Sequence, residues 1–353
     1  MKENNILITG GAGFIGSHVV NHFMDKYPNY RIVVMDSLTY ASNYDNVNGL
    51  EMGVHGGPRF WFNERVEFVK VDIRKENLIN EVFNYFKITD IIHLAAESHV
   101  DNSINNPNIF AQTNVLGTLN LLNVAKNVWG ENSPNRFYHI STDEVYGDLK
   151  LGDAPFTEQT PYNPSSPYSA SKAASDHFVR AYARTYGMNC VISNCSNNYG
   201  PHQHDEKLIP TVIRKLVNGE KIPVYGTGEN VRDWLWVGDH VKAIDEIFHN
   251  GKKGHTYNVG GDNEMTNIDI IHKICELFYN TYTYAESPIT HLPPFPIQYV
   301  TDRKGHDLRY AVNSNYLQTN LNWKPEKNFE EGILETIKYY VIKYKGNIKN
   351  YKK

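Results

Sequence analysis

Short apolar runs alternate along the first half of the chain with longer segments whose apolar residues recur every three or four positions. The short runs have the length and the continuous apolar character of strands buried on both faces of a parallel sheet. The longer segments have the periodicity of helices that pack one face on such a sheet. The predicted strands are Asn5–Thr9, Arg31–Met35, Val66–Val71, Asp90–Leu94, Arg136–Ile140 and Asn189–Ser193. The predicted helices of this part are Ser17 to Met24, Leu78–Phe86, Asn114–Val128 and Ser169 to Tyr186.

Regular alternation of strands and helices is typical of α/β proteins, so we predict a doubly wound parallel (Rossmann) sheet with a smaller α/β substrate-binding domain. The pattern changes after residue 195, where loops become longer and the apolar runs sparser. Two later strand-like segments, Trp234–Val237 and Thr256–Val259, are expected to rejoin the first sheet. Residues 37–64 have no strong periodicity and include a glycine-rich loop. Further helices are predicted from about residue 208 to Val217, at Ile268–Phe278 and at Gly332–Tyr344.

Composition narrows the class of protein. The 353 residues are 41% hydrophobic and 21% charged, with a formal charge of −4, which gives no support to a nucleic-acid or membrane surface. No apolar run approaches the ~20 residues that a membrane span requires, and we expect no signal peptide. The three cysteines have no paired spacing, which fits a reducing cytoplasm better than a disulfide framework. The 15 histidines are scattered, so we expect no metal site.

The glycine-rich segment Gly10–Gly16 lies between the first predicted strand and the first predicted helix. Gly10 and Gly11 allow a tight turn, Gly13 lets a pyrophosphate approach the backbone, and Gly16 lets the helix pack closely on the strand. A pyrophosphate would lie at the helix N-terminus, where free N–H groups and the helix dipole favour an anion. The position of this segment between a strand and a helix makes it a much stronger indication of a dinucleotide site than glycines alone.

Three further strand ends are candidates for cofactor contacts. Asp36 follows Gly16 by 20 positions and ends the second strand, where a carboxylate accepts hydrogen bonds from a ribose and repels a 2′-phosphate. This predicts NAD rather than NADP, although such an aspartate can also cap a turn. Asp72-Ile73 ends the third strand and is expected beside the adenine, with a turn role for Asp72 as the alternative. Ala95-Ala96 follows the fourth strand and leaves room for a cofactor in the crevice where open α/β sheets bind ligands.

The stretch Ser141–Lys172 concentrates candidate catalytic groups. It begins with Ser141-Thr142-Asp143-Glu144 directly after the fifth strand. Tyr168 and Lys172 are four positions apart and therefore share one face of a helix. A neighbouring ammonium stabilises a phenolate, so the pair could act as an acid or base near neutral pH. An isolated Tyr-x-x-x-Lys is more often an ordinary helix face, and the surrounding pattern is what favours catalysis.

Taken together, these segments resemble the extended short-chain dehydrogenases/reductases and, within that family, the dTDP-glucose 4,6-dehydratases. The resemblance covers nearly the whole chain. It depends on Gly10–Gly16, Ala95–Asp101, Ser141–Gly147, Tyr168–Lys172, Ser196–Pro201, Glu206–Pro210, Asn230–Trp234 and Arg303–Asp307. The chain departs from the family pattern in an expanded segment at about Gly49 to Glu64, and at Asn102 and Lys304, where Arg and Pro are expected.

The resemblance implies bound NAD, a nucleotide-sugar substrate and a homodimer formed through the helices near Asn114 and Tyr168. It implies an NAD-binding domain at residues 1–195, rejoined by 234–262, and a mainly nucleotide-sugar-binding domain at 196–353. The implied cofactor contacts are Gly10, Gly13, Phe14, Ile15, Gly16, Asp36, Asp72, Ile73, Ala95, Ala96, Tyr168 and Lys172. The implied substrate contacts are Asn197, Lys207, Leu208, Tyr225, Arg232, Asn267, Arg303 and His306 for the nucleotide diphosphate, and His99 for the sugar. Any one of these cations could instead be a solvated surface charge, and Arg232 could form a structural ion pair with Asp233.

The activity implied by the resemblance is loss of water from dTDP-glucose to give a 4-keto-6-deoxy sugar, a deoxysugar precursor. Tyr168 would take the C4 hydroxyl proton, with Thr142, and Ser141 as a second candidate, hydrogen-bonding near that oxygen. Glu144 would remove the C5 proton, and Asp143 would protonate the departing C6 hydroxyl. The alternatives are a nucleotide-sugar 4-epimerase, which has no need for the two carboxylates, a 4,6-dehydratase that uses another nucleotide, and a non-catalytic NAD-binding protein.

Overall fold

An eight-stranded sheet forms the centre of the structure, with a three-stranded and a two-stranded sheet beside it. The structure is a computed structural model that describes residues 4–48, 59–63, 66–282, 295–303 and 305–345. Its strands are β1 (Asn4–Thr9), β2 (Tyr30–Asp36), β3 (Arg59–Asn63), β4 (Val66–Lys70), β5 (Asp90–His93), β6 (Arg136–Thr142), β7 (Asn189–Cys195), β8 (Asn197–Tyr199), β9 (Ile222–Tyr225), β10 (Val231–Trp236), β11 (Thr256–Val259), β12 (Glu264–Thr266) and β13 (Ile297–Val300).

Helices connect most of these strands. They are α1 (Phe14–Lys26), α2 (Glu76–Phe86), α3 (Val100–Asn105), α4 (Pro107–Phe110), α5 (Thr118–Trp129), α6 (Pro167–Thr185), α7 (Leu208–Asn218), α8 (Val237–Asn250), α9 (Asn267–Tyr282), α10 (Asn315–Leu321) and α11 (Phe329–Lys345). A π-helical segment, Ala111–Gly117, joins α4 to α5, and short 3-10 turns occupy Tyr44–Asn46 and Asp143–Tyr146.

The strand order of the central sheet is β11-β7-β6-β5-β1-β2-β4-β3. Neighbouring strands are parallel except β3 and β4, which are antiparallel at one edge. From β1 the chain builds outward through β2 and β4, and then returns to build the other half from β5 through β7. The order therefore reverses between β1 and β5, which is the point where open α/β sheets bind ligands. The predicted doubly wound sheet is confirmed.

The predicted strands of the first half end within two residues of the observed ones. Helix α1 begins three residues before the predicted start, and α8 was not predicted. Of the two segments expected to rejoin the first sheet, Thr256–Val259 pairs with β7. The expectation is wrong for Trp234–Val237, because β10 pairs with β8 and β12 in the three-stranded sheet. Apolar pattern identifies a strand but not the edge with which it pairs, and β8 offers an edge immediately after β7.

The expanded segment proposed for residues 49–64 falls largely outside the described residues, as does Lys304. Within it the backbone of Arg59–Asn63 forms the antiparallel edge strand β3, where no strand was predicted. Asn102 lies in α3, where its amide nitrogen donates a hydrogen bond to the Tyr40 hydroxyl at 3.3 Å.

Alternate residues of β1 pack on opposite faces of the sheet. Ile6 and Ile8 belong to the cluster that includes residues of α1 and α8, whereas Leu7 packs with residues of α2 and α5 on the other face. All are fully buried. This explains why the strand is continuously apolar in sequence, as expected of a parallel strand covered on both sides. A separate core joins α7, α9 and α11 and supports the two smaller sheets.

Two observations bear on the environment of the chain. No helix among the described residues is long and apolar enough to cross a membrane. Cys190, Cys195 and Cys275 are free thiols, and all three are buried.

Helices α1 and α8 are joined by a buried carboxylate. Asp245 on α8 accepts hydrogen bonds from His22 Nε2 at 2.8 Å, Lys26 Nζ at 2.6 Å and the Tyr27 hydroxyl at 2.6 Å. His249 Nδ1, one turn along α8, lies 2.8 Å from Oδ1, the oxygen that accepts from the Tyr27 hydroxyl. Burial disfavours the charged form, but these hydrogen bonds outweigh it and hold the pKa of Asp245 far below its ordinary value.

We expect Asp245→Asn to lower the free energy of unfolding by about 3 kcal/mol, because it leaves partners of a buried charge uncompensated. Urea unfolding measures the loss. The stabilisation is present above the unfolded carboxyl pKa of about 4 and declines as the pH falls below it, since the folded pKa is depressed. Glu246→Gln on the same helix is the matched control and should change stability by less than about 0.5 kcal/mol. Equal effects of the two variants would contradict this role.

Candidate active site

A cleft opens at the carboxyl edge of the central sheet, at the point where the strand order reverses. Its walls come from the ends of β1, β2, β4, β5 and β6, from the first turn of α6, and from the segment between β7 and α7. The cleft brings together all the predicted catalytic and cofactor-binding residues. They are Gly10, Gly13, Phe14, Ile15, Gly16, Asp36, Asp72, Ile73, Ala95, Ala96, Thr142, Asp143, Glu144, Tyr168 and Lys172.

The glycine-rich loop forms one end of the cleft. Gly10 has φ +69°, a left-handed conformation, and a Cβ there would lie 2.7 Å from the backbone nitrogen of Ala95. A Cβ on Gly16 would lie 2.1 Å from the carbonyl oxygen of Gly10, so no side chain fits at that position. Helix α1 begins at Phe14 without a side-chain cap and without an acidic residue in its first turn. Its positive end therefore faces the cleft uncompensated, which fits the pyrophosphate of a dinucleotide.

Asp36 holds this loop in place. Its carboxylate is buried and accepts hydrogen bonds from the backbone N–H of Ala12 at 3.1 Å and of Leu38 at 2.8 Å. Burial raises the pKa of Asp36, and these two N–H groups oppose the rise. Asp36 therefore caps the turn, which is the alternative role given for it above. Asp36 also lines the cleft, and its contact with a ribose stays a prediction.

Asp72 is paired locally at the adenine end of the predicted site. The Arg74 guanidinium donates to both of its oxygens, at 2.9 Å from Nε to Oδ2 and 3.0 Å from Nε to Oδ1. Burial works to raise the pKa of Asp72, but the hydrogen bonds from Arg74 prevail and lower it. Ile73 packs against Gly117, where an added Cβ would lie 2.6 Å from the isoleucine side chain.

Tyr168 and Lys172 are positioned by the start of α6. Pro167 occupies the first turn of the helix, and the side chains of Ser166 and Ser169 form a reciprocal capping box. The Lys172 ammonium is buried and donates to the carbonyl oxygen of Ile140 at 2.8 Å. The two predicted redox residues thus lie on one helix face, directed at the end of β6.

The pKa of Tyr168 lies above the ordinary value of a phenol, contrary to what its pairing with Lys172 predicts. Burial, followed by the nearby Glu144 carboxyl, raises the pKa of Tyr168 well above its ordinary value, and a hydrogen bond with Thr142 opposes the rise. Burial also lowers the pKa of Lys172. Both results have the same cause, because a dry site disfavours the charged form of an acid and of a base alike.

Asp143 and Glu144 lie in the 3-10 turn that follows β6. The Thr142 hydroxyl fixes this turn by accepting from the N–H of Glu144 at 3.3 Å, and it lies 3.3 Å from Asp143 Oδ1. Burial and then the Glu144 charge raise the pKa of Asp143 well above its usual range. Burial also raises the pKa of Glu144, but the cations Lys207 and Arg232 oppose it. The pair therefore provides a carboxyl that retains its proton readily beside one held closer to ionisation.

The Ser141 hydroxyl already has a partner in a buried carboxylate. Ser141 lines the cleft, and its hydroxyl donates to Asp176 Oδ2 at 2.9 Å. A contact of Ser141 with the sugar oxygen therefore stays a prediction, whereas Thr142 lies beside both Tyr168 and Asp143.

Two of the nine predicted substrate-binding residues, Asn197 and Lys207, line the cleft. Lys207 is half-buried, and its ammonium donates to the carbonyl oxygen of Ser98 at 3.0 Å. The side-chain amide oxygen of Asn197 is buried and has no hydrogen-bond partner among the described residues. Leu208 and Asn267 begin α7 and α9.

Two of the predicted substrate-binding arginines stack on aromatic rings. The Arg303 guanidinium lies 5.0 Å from the ring centroid of Tyr225, with its Nε 3.7 Å from Asp101 Oδ1. Arg232 lies 4.3 Å from the ring centroid of Tyr310.

Arg232 and Asp233 do not form the ion pair considered for them. The guanidinium of Arg232 donates to backbone carbonyl oxygens, including that of Asp307 at 3.0 Å. The carboxylate of Asp233 accepts from the N–H of Gly261 at 2.7 Å and of Asn263 at 2.8 Å. The two side chains alternate across β10 and serve separate segments.

His99 and His306 contact polar groups of nearby residues. The His99 ring caps α3 through the N–H of Asn102 at 3.4 Å, and its Nε2 lies 3.9 Å from Glu206. His306 pairs with Asp302 at 2.7 Å, and burial lowers its pKa. A direct role of either histidine at the sugar or the phosphates stays a prediction.

Several cleft residues were not predicted from sequence. Among them are Arg74, Glu97, Thr113, Cys195, Gln203, His204 and Glu206. Arg74 and Glu206 adjoin predicted residues in the chain, so their neighbours were the available signal. Thr113 lies in the π-helical segment, and nothing in its local sequence distinguishes it from an ordinary helix residue.

Comparison with known proteins gives a consistent result. The family model described as GDP-mannose 4,6 dehydratase matches residues 7–336. The dTDP-glucose 4,6-dehydratase of Haemophilus influenzae is 44% identical, with 96% of this chain and 98% of the relative covered. The structure of DesIV, a dTDP-glucose 4,6-dehydratase from Streptomyces venezuelae with NAD and TYD bound, is similar with a TM-score of 0.83 at 38% identity, covering 95% of this chain and 96% of that one. A UDP-glucose 4-epimerase of Thermus thermophilus in complex with NAD has a TM-score of 0.81 at 27% identity, covering 98% of this chain and all of its own.

The cofactor prediction can be tested through Asp36. Because the loop that it holds fits a dinucleotide and its carboxylate disfavours a 2′-phosphate, the cofactor-stripped protein should be activated by NAD and far less by NADP. Asp36→Asn should weaken NAD binding about tenfold or more, since one buried N–H group loses its acceptor. Isothermal titration with each dinucleotide measures both effects.

The control is Asp45→Asn, an exposed carboxylate on the following 3-10 turn, which should bind NAD as the wild type does. Equal activation of the wild type by NADP and NAD would show that the assignment of Asp36 is wrong.

Proposed function

The chain belongs to the 4,6-dehydratase family of extended short-chain dehydrogenases/reductases, and from this premise we propose that it converts dTDP-glucose into dTDP-4-keto-6-deoxyglucose. The reaction is an NAD-dependent dehydration, and its product is a precursor of deoxysugars. The observation that carries the proposal is the presence of two adjacent carboxyl groups, the buried Asp143 and the half-buried Glu144, in the same cleft as Tyr168 and Lys172.

The residues that would hold NAD fit its parts. The uncapped N-terminus of α1 would receive the pyrophosphate, Asp36 the ribose, and the small residues Ala95 and Ala96 leave space at the end of β5. When bound, NAD supplies a hydride acceptor at C4 of the glucose and a hydride donor at C6.

The side chains would divide the proton transfers among them. As a phenolate, which the Lys172 ammonium and the positive nicotinamide ring of bound NAD would stabilise, Tyr168 accepts the C4 hydroxyl proton, while the Thr142 hydroxyl orients that oxygen. The C4 ketone makes the C5 proton acidic, and Glu144 removes it and returns a proton to C5 when the hydride reaches C6. Asp143 donates its proton to the C6 hydroxyl, which leaves as water. Assignment of the acid to Asp143 is supported by its strongly raised pKa, and assignment of the base to Glu144 by the two cations that oppose its protonation.

The same carboxyl pair distinguishes this reaction from its nearest alternative. A 4-epimerase needs the C4 oxidation groups but no acid and base for elimination at C5 and C6. Placing a buried and a half-buried carboxyl group beside a phenol is costly, and the dehydration reaction gives both a use. Lys207, Arg232 and Arg303 provide the positive charge that a nucleotide diphosphate requires, although the preference for thymidine derives from the relatives.

We also propose that the chain acts as a homodimer in the cytoplasm. Leu116, Val128 and Phe178 are large apolar side chains that are more than a third exposed on the π-helical segment, α5 and α6, the helices expected at the dimer contact. Three reduced, buried cysteines fit a reducing compartment. The proposed NAD-binding domain comprises residues 1–195 with β11, and the nucleotide-sugar-binding domain most of 196–353.

The primary test is incubation of the NAD-loaded protein with dTDP-glucose and mass analysis of the product. We expect a mass lower by one water. An isomer of unchanged mass would identify an epimerase, and an unchanged substrate would support a non-catalytic NAD-binding protein. Parallel incubation with UDP-glucose and GDP-mannose measures the nucleotide preference.

Tyr168→Phe should lower kcat by roughly 10²–10⁴-fold, because the ring is kept while the general base is lost. Single-turnover absorbance of NADH on addition of substrate measures the oxidation step directly. Tyr299→Phe, which removes an exposed hydroxyl on β13, is the control and should leave kcat unchanged. Near-wild-type oxidation by Tyr168→Phe would remove this residue from the mechanism.

The isosteric pair Asp143→Asn and Glu144→Gln should slow water elimination much more than C4 oxidation, since oxidation requires neither carboxyl. Bound NADH should therefore accumulate after substrate is added. In deuterated solvent Glu144→Gln should also slow exchange at C5. Release of dehydrated product by the double variant at nearly the wild-type rate would show that both carboxyls are structural.

A further inference from the structure

A buried carboxylate lies behind the proposed redox pair and has no part in the reaction described above. Asp176 follows Lys172 by one turn of α6, so the two side chains share a helix face. Asp176 is completely shielded from solvent. A carboxylate at such a position is costly unless it is hydrogen-bonded and paired with a cation, so its partners indicate its role.

Three groups from two other parts of the chain converge on Asp176. The hydroxyls of Ser141 and Tyr162 donate to its Oδ2 at 2.9 and 2.8 Å. His139 Nε2 lies 3.2 Å from its Oδ1. Burial would raise the pKa of Asp176, but the contacts with His139 and the nearby cations prevail and lower it. Two hydroxyl donors therefore hold Oδ2, whereas Oδ1 has only the ion-pair contact with His139 and no hydrogen-bond partner among the described residues.

The contacts of Asp176 lead to both ends of the reacting assembly. Ser141, which it anchors, lies between Ile140 and Thr142 in β6. The carbonyl oxygen of Ile140 accepts the hydrogen bond from the Lys172 ammonium, and Thr142 is the residue beside Tyr168. Fixing Ser141 thus fixes the backbone that positions both catalytic neighbours.

The charge of Asp176 also stabilises the ammonium of Lys172, which is buried. Its hydrogen bond to a neutral carbonyl does not offset the loss of hydration that an ammonium undergoes there. A carboxylate one helical turn away provides the missing counter-charge. We propose that Asp176 is a positioning residue for the reaction, which keeps Lys172 an ammonium and holds Ser141 so that the end of β6 faces Tyr168.

The other titratable groups around Lys172 and Asp176 do not supply the negative charge that Lys172 needs. His93 and His139, on β5 and β6, have pKa values lowered by burial and are neutral at working pH. Burial raises the pKa of the Cys195 thiol on β7 to about 12, so it is neutral as well. Burial also raises the pKa of the Tyr146 phenol, on the 3-10 turn, well above its ordinary value.

The remaining charged group on the same helix face acts on a neighbour of Asp176. The Arg180 guanidinium donates to the Tyr162 hydroxyl at 2.6 Å and lies 4.6 Å from that ring centroid. It therefore orients one donor to Asp176 and adds positive charge, which leaves Asp176 as the anion facing Lys172.

The test measures the titration of Lys172 in the full-length, NAD-loaded protein by NMR of isotope-labelled lysine side chains, with Lys172→Met to assign the resonance. In the wild type this resonance should be that of an ammonium at neutral pH. Asp176→Asn should move its titration midpoint down by about one pH unit or more, the effect of removing a neighbouring opposite charge. The asparagine keeps an acceptor for Ser141 and Tyr162, and His139 can change tautomer to accept from the new amide.

The proposal rests on the proposed function only for its second readout, the pH profile of dTDP-glucose turnover. Its basic limb should shift to lower pH by the same amount as the Lys172 midpoint. Failure of the wild type to convert dTDP-glucose would overturn the proposed function, while the lysine titration would still decide the role of Asp176.

Asp245→Asn is the matched control, because it removes another buried, multiply hydrogen-bonded carboxylate far from the cleft. It should lower stability without moving the Lys172 midpoint. A neutral Lys172 amine in the wild type at neutral pH would overturn the proposal without any variant. An unmoved midpoint in Asp176→Asn, with turnover reduced equally at every pH, would show that Asp176 is only structural.

Discussion

Burial of charge at the carboxyl edge of one parallel sheet is the constraint on which the site depends. Asp143, Lys172 and Asp176 are each nearly or wholly shielded from solvent, and Glu144 adjoins them. A folded chain retains such groups only where hydrogen bonds and opposite charges offset the loss of hydration. The strand ends meet this condition, because neighbouring parallel strands bring backbone carbonyls and side chains from distant parts of the sequence to one edge.

The first and last parts of the chain cooperate in forming the cleft. The segment between β8 and α7 carries Lys207 and Glu206, and it is held from two sides. On one side the rings of His18 in α1 and His202 stack with centroids 4.8 Å apart. On the other, the Tyr340 hydroxyl of α11 donates to the carbonyl oxygen of Gln203. The terminal helix, although distant from the cofactor loop in sequence, thereby supports the substrate side of the same cleft.

The central sheet could be predicted well because its signal is local. Continuous apolar runs such as Asn5–Thr9 and Arg136–Ile140 need only a few residues to be recognised, and each lies within two residues of an observed strand. Helix α8 was not predicted. The strand at Trp234 was assigned to the wrong sheet, because the partner of a strand depends on which edges are near it in the folded chain. Glycines and strand-end residues identified the cofactor side of the cleft for the same local reason, whereas the contributions of Thr113 and Gln203 come from parts of the chain that only folding brings near.

The sequence by itself determined the six parallel strands of the first half, the glycine-rich turn and the identity of the reactive groups, since spacing, side-chain chemistry and periodicity are fixed by covalent order. Only the tertiary structure decided which of these groups face one another. It directed the Ser141 hydroxyl to Asp176, separated the side chains of Arg232 and Asp233, and raised rather than lowered the pKa of Tyr168. The physical reason is that hydrogen bonding and desolvation depend on distances and burial in three dimensions, and neither can be read from the separation of residues along a chain.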